Sequence, residues 1–228
     1  MIELNKVRKV YNEKSSPVEA LKDASFSVSQ SDIVALIGSS GSGKTTLLNM
    51  LSAIDIPTSG TVVISGEDIS LYSQKKLTEF RRSKVGIVFQ FFNLMPTLSV
   101  LENVTLPALL AGKNEMESAK AAEKWLERVA LAHRMNYKPH TLSGGEMQRT
   151  AIARALINNP EIIIADEPTG NLDSKNAAII LNLIKELASE EKTTLIIATH
   201  SKEVANAANR VISIKDGVTY DGDEIVKG

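Results

Sequence analysis

Apolar and polar residues alternate loosely from Ile2 to Tyr11, and a second extended stretch, Ala20 to Val28, follows a polar turn around Ser15-Ser16-Pro17. Such a pair predicts an antiparallel hairpin or sheet edge. Ile33-Val34-Ala35-Leu36-Ile37 is instead a continuous apolar run, the pattern of a strand buried on both faces of a parallel sheet. It breaks into Gly38-Ser39-Ser40-Gly41-Ser42-Gly43, after which Leu47, Leu48, Leu51 and Ile54 recur at helical spacing until Pro57 and Gly60. A helix is therefore predicted from near Lys44. Further short apolar runs lie at Val85–Phe89, Ile162–Ala165 and Thr194–Ala198, with helical patterns beside each, notably Lys175 to Ala188. Between Gln90 and Gly144 only helices are predicted, at Val100–Ala111 and Glu115–Ala130. Val211–Lys215 and Val218–Tyr220 flank Asp216-Gly217 and read as a hairpin. The expected organisation is one domain over 1–228, an α/β core of 1–90 and 150–228 holding a helical subdomain of 91–149.

Composition narrows the classes. An apolar content of 43% over 228 residues can fill a core, and 26 basic against 27 acidic residues give no field to steer the chain onto nucleic acid, so no nucleic-acid partner is expected. With no cysteine, thiolate nucleophiles, Cys-ligated zinc, iron–sulfur clusters and disulfides are excluded. No apolar run approaches the length of a membrane span; even Val104–Gly112 is interrupted by Pro107. Met1 to Lys6 lacks the features of a signal or transit leader, so a cytoplasmic location is expected.

Gly38-Ser39-Ser40-Gly41-Ser42-Gly43-Lys44-Thr45 matches G-x-x-x-x-G-K-[ST] in the required setting, after a buried strand and at a helix start. The glycines let successive N–H groups converge on phosphate oxygens, the helix dipole adds positive potential, and Lys44 brings a full charge to the β- and γ-phosphates. Thr45 offers a hydroxyl to magnesium, and Thr46 belongs to the same cradle. The expected fold class is thus α/β, a P-loop NTPase core with a mostly parallel sheet, an antiparallel β edge and an inserted helical subdomain. The complementary half is Ile162-Ile163-Ile164-Ala165-Asp166-Glu167, an apolar strand ending in two acids at the edge where open α/β sheets bind ligands. Alone, it could be a solvated strand end. Beside a P-loop, Asp166 reads as a magnesium-shell residue and Glu167 as the carboxylate that holds or deprotonates an attacking water.

Thr141-Leu142-Ser143-Gly144-Gly145-Glu146 opens a helix running through Arg149, Ile152, Ala153 and Leu156 towards Pro160. In isolation Ser143 and Glu146 form a capping box; equally, Ser143 and the amides of Gly144 and Gly145 make a second phosphate cradle. With the P-loop upstream and the acid pair downstream, the chain resembles the ATP-binding-cassette (ABC) ATPases, whose LSGGQ-type signature lies shortly before the acidic strand. The resemblance covers nearly the whole chain and implies ATP and Mg2+ as ligands. It further implies a head-to-tail homodimer in which each copy's signature covers the γ-phosphate held by the other. By the same resemblance Tyr11 stacks on adenine, Gln90 senses magnesium and the attacking water, Asp173 of Asn171-Leu172-Asp173 lies at the dimer interface, and His200 contacts the γ-phosphate. Departures are Glu146 for the commoner Gln, then Met147, and Ser201 where an acid is frequent. His133 and His140 match no family position and are expected at the surface.

Phe89, Phe91 and Phe92 cluster around Gln90, followed by Leu94, Met95 and Leu98. They are either the core of the helical lobe or a groove for a partner's helix. The run from Phe89 to Val104 resembles the lipoprotein-release and macrolide-exporter branch of the ABC family. That resemblance implies an ATPase subunit, peripheral on the inner face of the cell membrane, that powers a four-span integral permease in efflux, lipoprotein extraction or antimicrobial-peptide resistance. The alternatives are a soluble, non-transport ABC ATPase and a regulatory ATPase acting through a membrane partner.

Overall fold

A computed structural model describes residues 1–12 and 15–222. Strands β1 (Ile2–Tyr11), β2 (Val18–Val28) and β3 (Ile33–Ile37) precede helix α1 (Lys44–Leu51), and β4 (Ser59–Ile64), β5 (Glu67–Asp68), α2 (Gln74–Lys84) and β6 (Val85–Val88) follow. Helices α3 (Val100–Leu110), α4 (Glu115–Arg128) and α5 (Gly144–Leu156) come next, with 3-10 turns at Ala132–Arg134 and Pro139–Thr141 between the last two. The chain closes with β7 (Ile162–Asp166), α6 (Ser174–Glu190), β8 (Thr194–Thr199), α7 (Lys202–Asn206), β9 (Arg210–Lys215) and β10 (Val218–Asp221). No helix among the described residues is long and apolar enough to cross a membrane.

The described residues form two compact units, one from within 1–81 and 194–222, the other 82–193. In the first, strands run in the order β5-β4-β1-β2-β10-β9-β3-β8. β1 pairs antiparallel with β2 and β4, whereas β3 lies between β8 and β9, parallel to both. The continuous apolar run of β3 is explained by this placement, since Val34 to Ile37 are all buried. The β9–β10 hairpin turns at Asp216 and Gly217, whose φ values of 49° and 80° suit a type I′ turn.

In the second unit β6 and β7 pair in parallel, with Val88 opposite Ala165. Helices α3, α4 and α5 pack on one another, and α5 also packs on β6 and α6. Four helices of this unit carry side-chain N-caps: capping boxes of Ser99–Glu102 on α3 and Ser143–Glu146 on α5, Asn114 on α4 and Asp173 on α6.

The sequence pattern and the fold differ in places. Helix α1 ends at Leu51, short of the expected Ile54, because Ala53 turns left-handed at φ 51° and the Ile54 N–H bonds back to the Asn49 carbonyl. Ile54 is accordingly exposed. Strand β2 begins at Val18, two residues before the expected Ala20.

Candidate functional site

The phosphate cradle belongs to the first unit. Gly43 caps α1 at φ 103°, and a Cβ there would lie 2.4 Å from the Ala20 carbonyl, so glycine is required by both conformation and space. Gly38 is excluded from carrying a side chain by Ser42 Oγ and Ile214, 2.6 and 2.7 Å from where its Cβ would be. Hydrogen bonds hold the loop's shape: Ser42 N donates to the Ser39 carbonyl at 3.2 Å, the Ser42 carbonyl accepts from Gly217 N at 2.9 Å, and Lys44 Nζ donates to the Gly38 carbonyl at 3.2 Å. Ser39, Ser40, Gly41 and Thr45 are exposed, Thr46 is half-buried, and the buried Ser42 Oγ finds no partner among the described residues.

This helix start suits an anion. Helices α3 to α7 all carry a side-chain N-cap, whereas α1 has glycine, no side-chain cap and no acid in its first turn. Its N–H groups and positive dipole end are thus left for a ligand, with Lys44 beside them. Ile37 pairs with Thr199, so Gly38 and His200 leave the same sheet edge, and His200 is exposed there.

Tyr11, at the end of β1, is held by a small polar cluster. Its hydroxyl donates to Asp55 Oδ2 at 3.1 Å, and Lys9 Nζ donates to Asp55 Oδ1 at 2.7 Å and to the Ile56 carbonyl at 2.8 Å. Lys9 Nζ also lies 5.0 Å from the centre of the Tyr11 ring. Burial works to raise the Asp55 carboxyl, but the Lys9 ammonium and the Ile56 N–H outweigh it and hold the group below its ordinary pKa. Burial raises the Tyr11 phenol.

In the second unit, the register of β6 on β7 brings Gln90 and the pair Asp166–Glu167 out at one edge. Gln90 is enclosed by the loop that follows the acids: a Cβ at Gly170 would meet Gln90 Nε2 at 2.8 Å, and Asn171 Nδ2 donates to the Gln90 carbonyl at 2.9 Å. Glu167 has φ 46°, a left-handed conformation that costs a non-glycine residue energy and concentrates at functional positions. Its carbonyl accepts from Gly170 N at 3.0 Å.

At the start of α5, Ser143 Oγ accepts from the Glu146 N–H while Glu146 Oε2 accepts from the Ser143 N–H at 2.8 Å, completing the capping box. The carboxylate of Glu146 is turned back onto the cap and also accepts from Arg134 Nε at 2.9 Å. The Ser143 N–H and then Arg134 hold Glu146 below the usual carboxylate range. Gly144 lies against Leu172, 3.1 Å from its Cβ position, and Gly145 against Asn176 at 3.3 Å. Asp173 caps α6 through the Asn176 N–H at 2.9 Å, which lowers its pKa.

Sequence reasoning missed three side chains here. They are Asp55, Gln148 and Arg154, whose half-buried guanidinium on α5 donates to the carbonyls of Phe92 and Asn93 at 2.7 and 2.5 Å. Burial lowers the Arg154 pKa to about 10. No motif marks them, because their partners are distant in sequence. The aromatic cluster divides: Phe89 and Phe92 are half-buried, whereas Phe91 is 71% exposed and Met95 48% exposed. His133 and His140 are exposed.

A strand–glycine loop–helix cradle with an uncapped helix start, together with a second strand ending in two acids, defines a P-loop nucleotide-hydrolysing protein. This chain belongs to the ABC transporter family, whose profile matches residues 21–170, and within it is an ATP-binding, ATP-hydrolysing cassette. It is 41% identical over 218 residues to the lipoprotein-releasing system ATP-binding protein LolD of Shewanella denitrificans, covering 96% of this chain and 94% of that one. Among solved structures, the dimeric ATP-binding cassette MJ0796 in a post-hydrolysis state bound to ADP and Pi superposes with a TM-score of 0.88 at 40% identity, covering 98% of each chain. CbiO1 of Clostridium perfringens, part of a cbiONQ transporter complex, gives 0.86 at 31% identity, covering 97% of this chain and 87% of that one.

Proposed function

We propose that two copies of this chain close head to tail over two ATP molecules, and that the closure drives a membrane permease of the lipoprotein-release type. One observation carries the reading: a single chain has two glycine-rich helix starts, α1 and α5, and the second exposes Ser143 at its tip. One nucleotide accounts for one cradle; a second copy turned head to tail gives the other a triphosphate to cover. The dimers named for MJ0796 support the pairing, and the identity to LolD favours lipoprotein release over efflux or antimicrobial-peptide resistance.

In this reading Tyr11 stacks on adenine, the amides from Gly38 to Thr46 hold the phosphates, and Lys44 sets its charge on the β/γ bridge. Thr45, Gln90 and Asp166 carry hard oxygen donors that would hold a magnesium ion. Bound Mg-ATP supplies the γ-phosphoryl group and the cation that neutralises its developing charge. Glu167 orients the attacking water and takes its proton, and His200 steadies the γ-phosphate. Ser143, Gly144 and Gly145 cover the triphosphate of the opposite copy, and Asp173 lines the interface. Phe91 and Met95, apolar and exposed beside Gln90, form the surface on which a cytoplasmic helix of a four-span permease docks, which puts the chain on the inner face of the cell membrane.

The Glu167→Gln variant tests this reading. It should bind Mg-ATP, hydrolyse it at least about a hundredfold more slowly, and accumulate as a dimer by light scattering. A variant that stays monomeric at saturating Mg-ATP would contradict the proposal.

A further inference from the structure

Gln148 is fully buried on α5, five residues past Ser143. Its Nε2 donates to the Pro168 carbonyl at 2.7 Å, while its Oε1 has no donor among the described residues. Methionine would fill the same length without burying an amide oxygen that has no donor, but it would take the donor from the buried Pro168 carbonyl. What the amide adds is its bond to Pro168, the residue next to Glu167. Glu167 occupies the left-handed region at φ 46°, Pro168 has no N–H to donate, and the turn from Gly170 N to the Glu167 carbonyl shapes the same segment.

We infer that Gln148 is a positioning residue that keeps Glu167 in its working conformation and links it to the signature at the start of the same helix. The thirteen residues of α5 form one uninterrupted helix. It meets the loop after β7 and the start of α6, with Gln148 on Pro168, Gly144 beside Leu172 and Gly145 beside Asn176. A triphosphate seated on Ser143–Gly145 therefore acts on the glutamate of the chain that carries this signature. Each nucleotide site reports to the other through α5. The inference rests on the proposed role of Glu167 in handling the attacking water.

The test is Gln148→Met, which keeps the length and removes the donor. Steady-state ATP hydrolysis by the full chain is measured beside Mg-ATP binding and thermal unfolding, with Glu167→Gln as the parallel control. The expected result is a kcat about tenfold lower, the size of one lost positioning hydrogen bond, with ATP affinity close to native, a Tm lowered by only a few degrees through the unpaired Pro168 carbonyl, and weaker cooperativity in ATP. Gln148→Glu, which turns an acceptor onto the Pro168 carbonyl, should lower kcat further. A native kcat in Gln148→Met with an inactive Glu167→Gln would overturn the inference and leave the role of Glu167 standing. Losses of kcat, affinity and Tm together would reduce Gln148 to a packing residue and overturn it as well. Turnover retained in Glu167→Gln would overturn both readings.

Discussion

At the scale of single residues, the chemistry depends on side chains held by others. Tyr11 is an example: its ring stands at the end of β1, but its hydroxyl is fixed by Asp55, which is fixed in turn by Lys9. Asp55 has a lower pKa in the folded chain than in the unfolded one, because Lys9 and the Ile56 N–H outweigh burial. A carboxylate lowered in this way stabilises the fold above its unfolded pKa, and that contribution fades as pH falls from about 4 through the folded value. Asp55→Asn should therefore flatten the acid side of the stability curve, read by urea unfolding at several pH values. With Tyr11 as the adenine contact, it should also weaken ATP binding while leaving kcat at saturation near native. A fall in kcat at unchanged affinity would contradict that role. The motif residues were legible in the sequence because a phosphate cradle is mostly backbone and needs glycines at fixed spacing. Asp55, Gln148 and Arg154 were not, since their partners lie 44, 20 and 61 to 62 residues away and two of the three bind main-chain carbonyls, which carry no sequence mark.

At the scale of elements, α1 starts without a side-chain cap while α3 to α7 carry one, so among the capped helices it is the residues after the cap that can differ in role. Both α3 and α5 begin with a Ser–x–x–Glu capping box, yet only α5 follows its serine with two glycines. Ser99→Ala should cost about 1 kcal/mol of stability and leave ATP hydrolysis per folded molecule unchanged. Ser143→Ala should cost a similar amount and also reduce turnover. Denaturant unfolding and specific activity separate the two outcomes, and equal activity in both variants would make the α5 box purely structural. Strands β3, β7 and β8 were legible as elements because burial on both faces demands unbroken apolar runs. Strand β4 keeps only Val62 and Ile64 buried, α2 only Leu77 and Phe80, and α7 is five residues long, so tertiary context rather than local pattern decides them.

At the scale of the whole molecule, relatives along almost the entire chain agree with the recognition of the sequence as that of an ABC ATPase. The second copy entered the sequence reading only through the family resemblance, because within one chain the start of α5 is a well-capped helix. The absence of cysteine makes the arrangement directly measurable, since introduced thiols have no competitors. Ser40→Cys in the cradle and Ser143→Cys at the signature are combined with Glu167→Gln, and the chain is treated with a short bis-maleimide with and without Mg-ATP. The account predicts covalent dimers that form with Mg-ATP and are lost without nucleotide. Cross-linking that is absent with Mg-ATP, or equally strong without it, would contradict the claim that each copy's signature closes over the other's nucleotide.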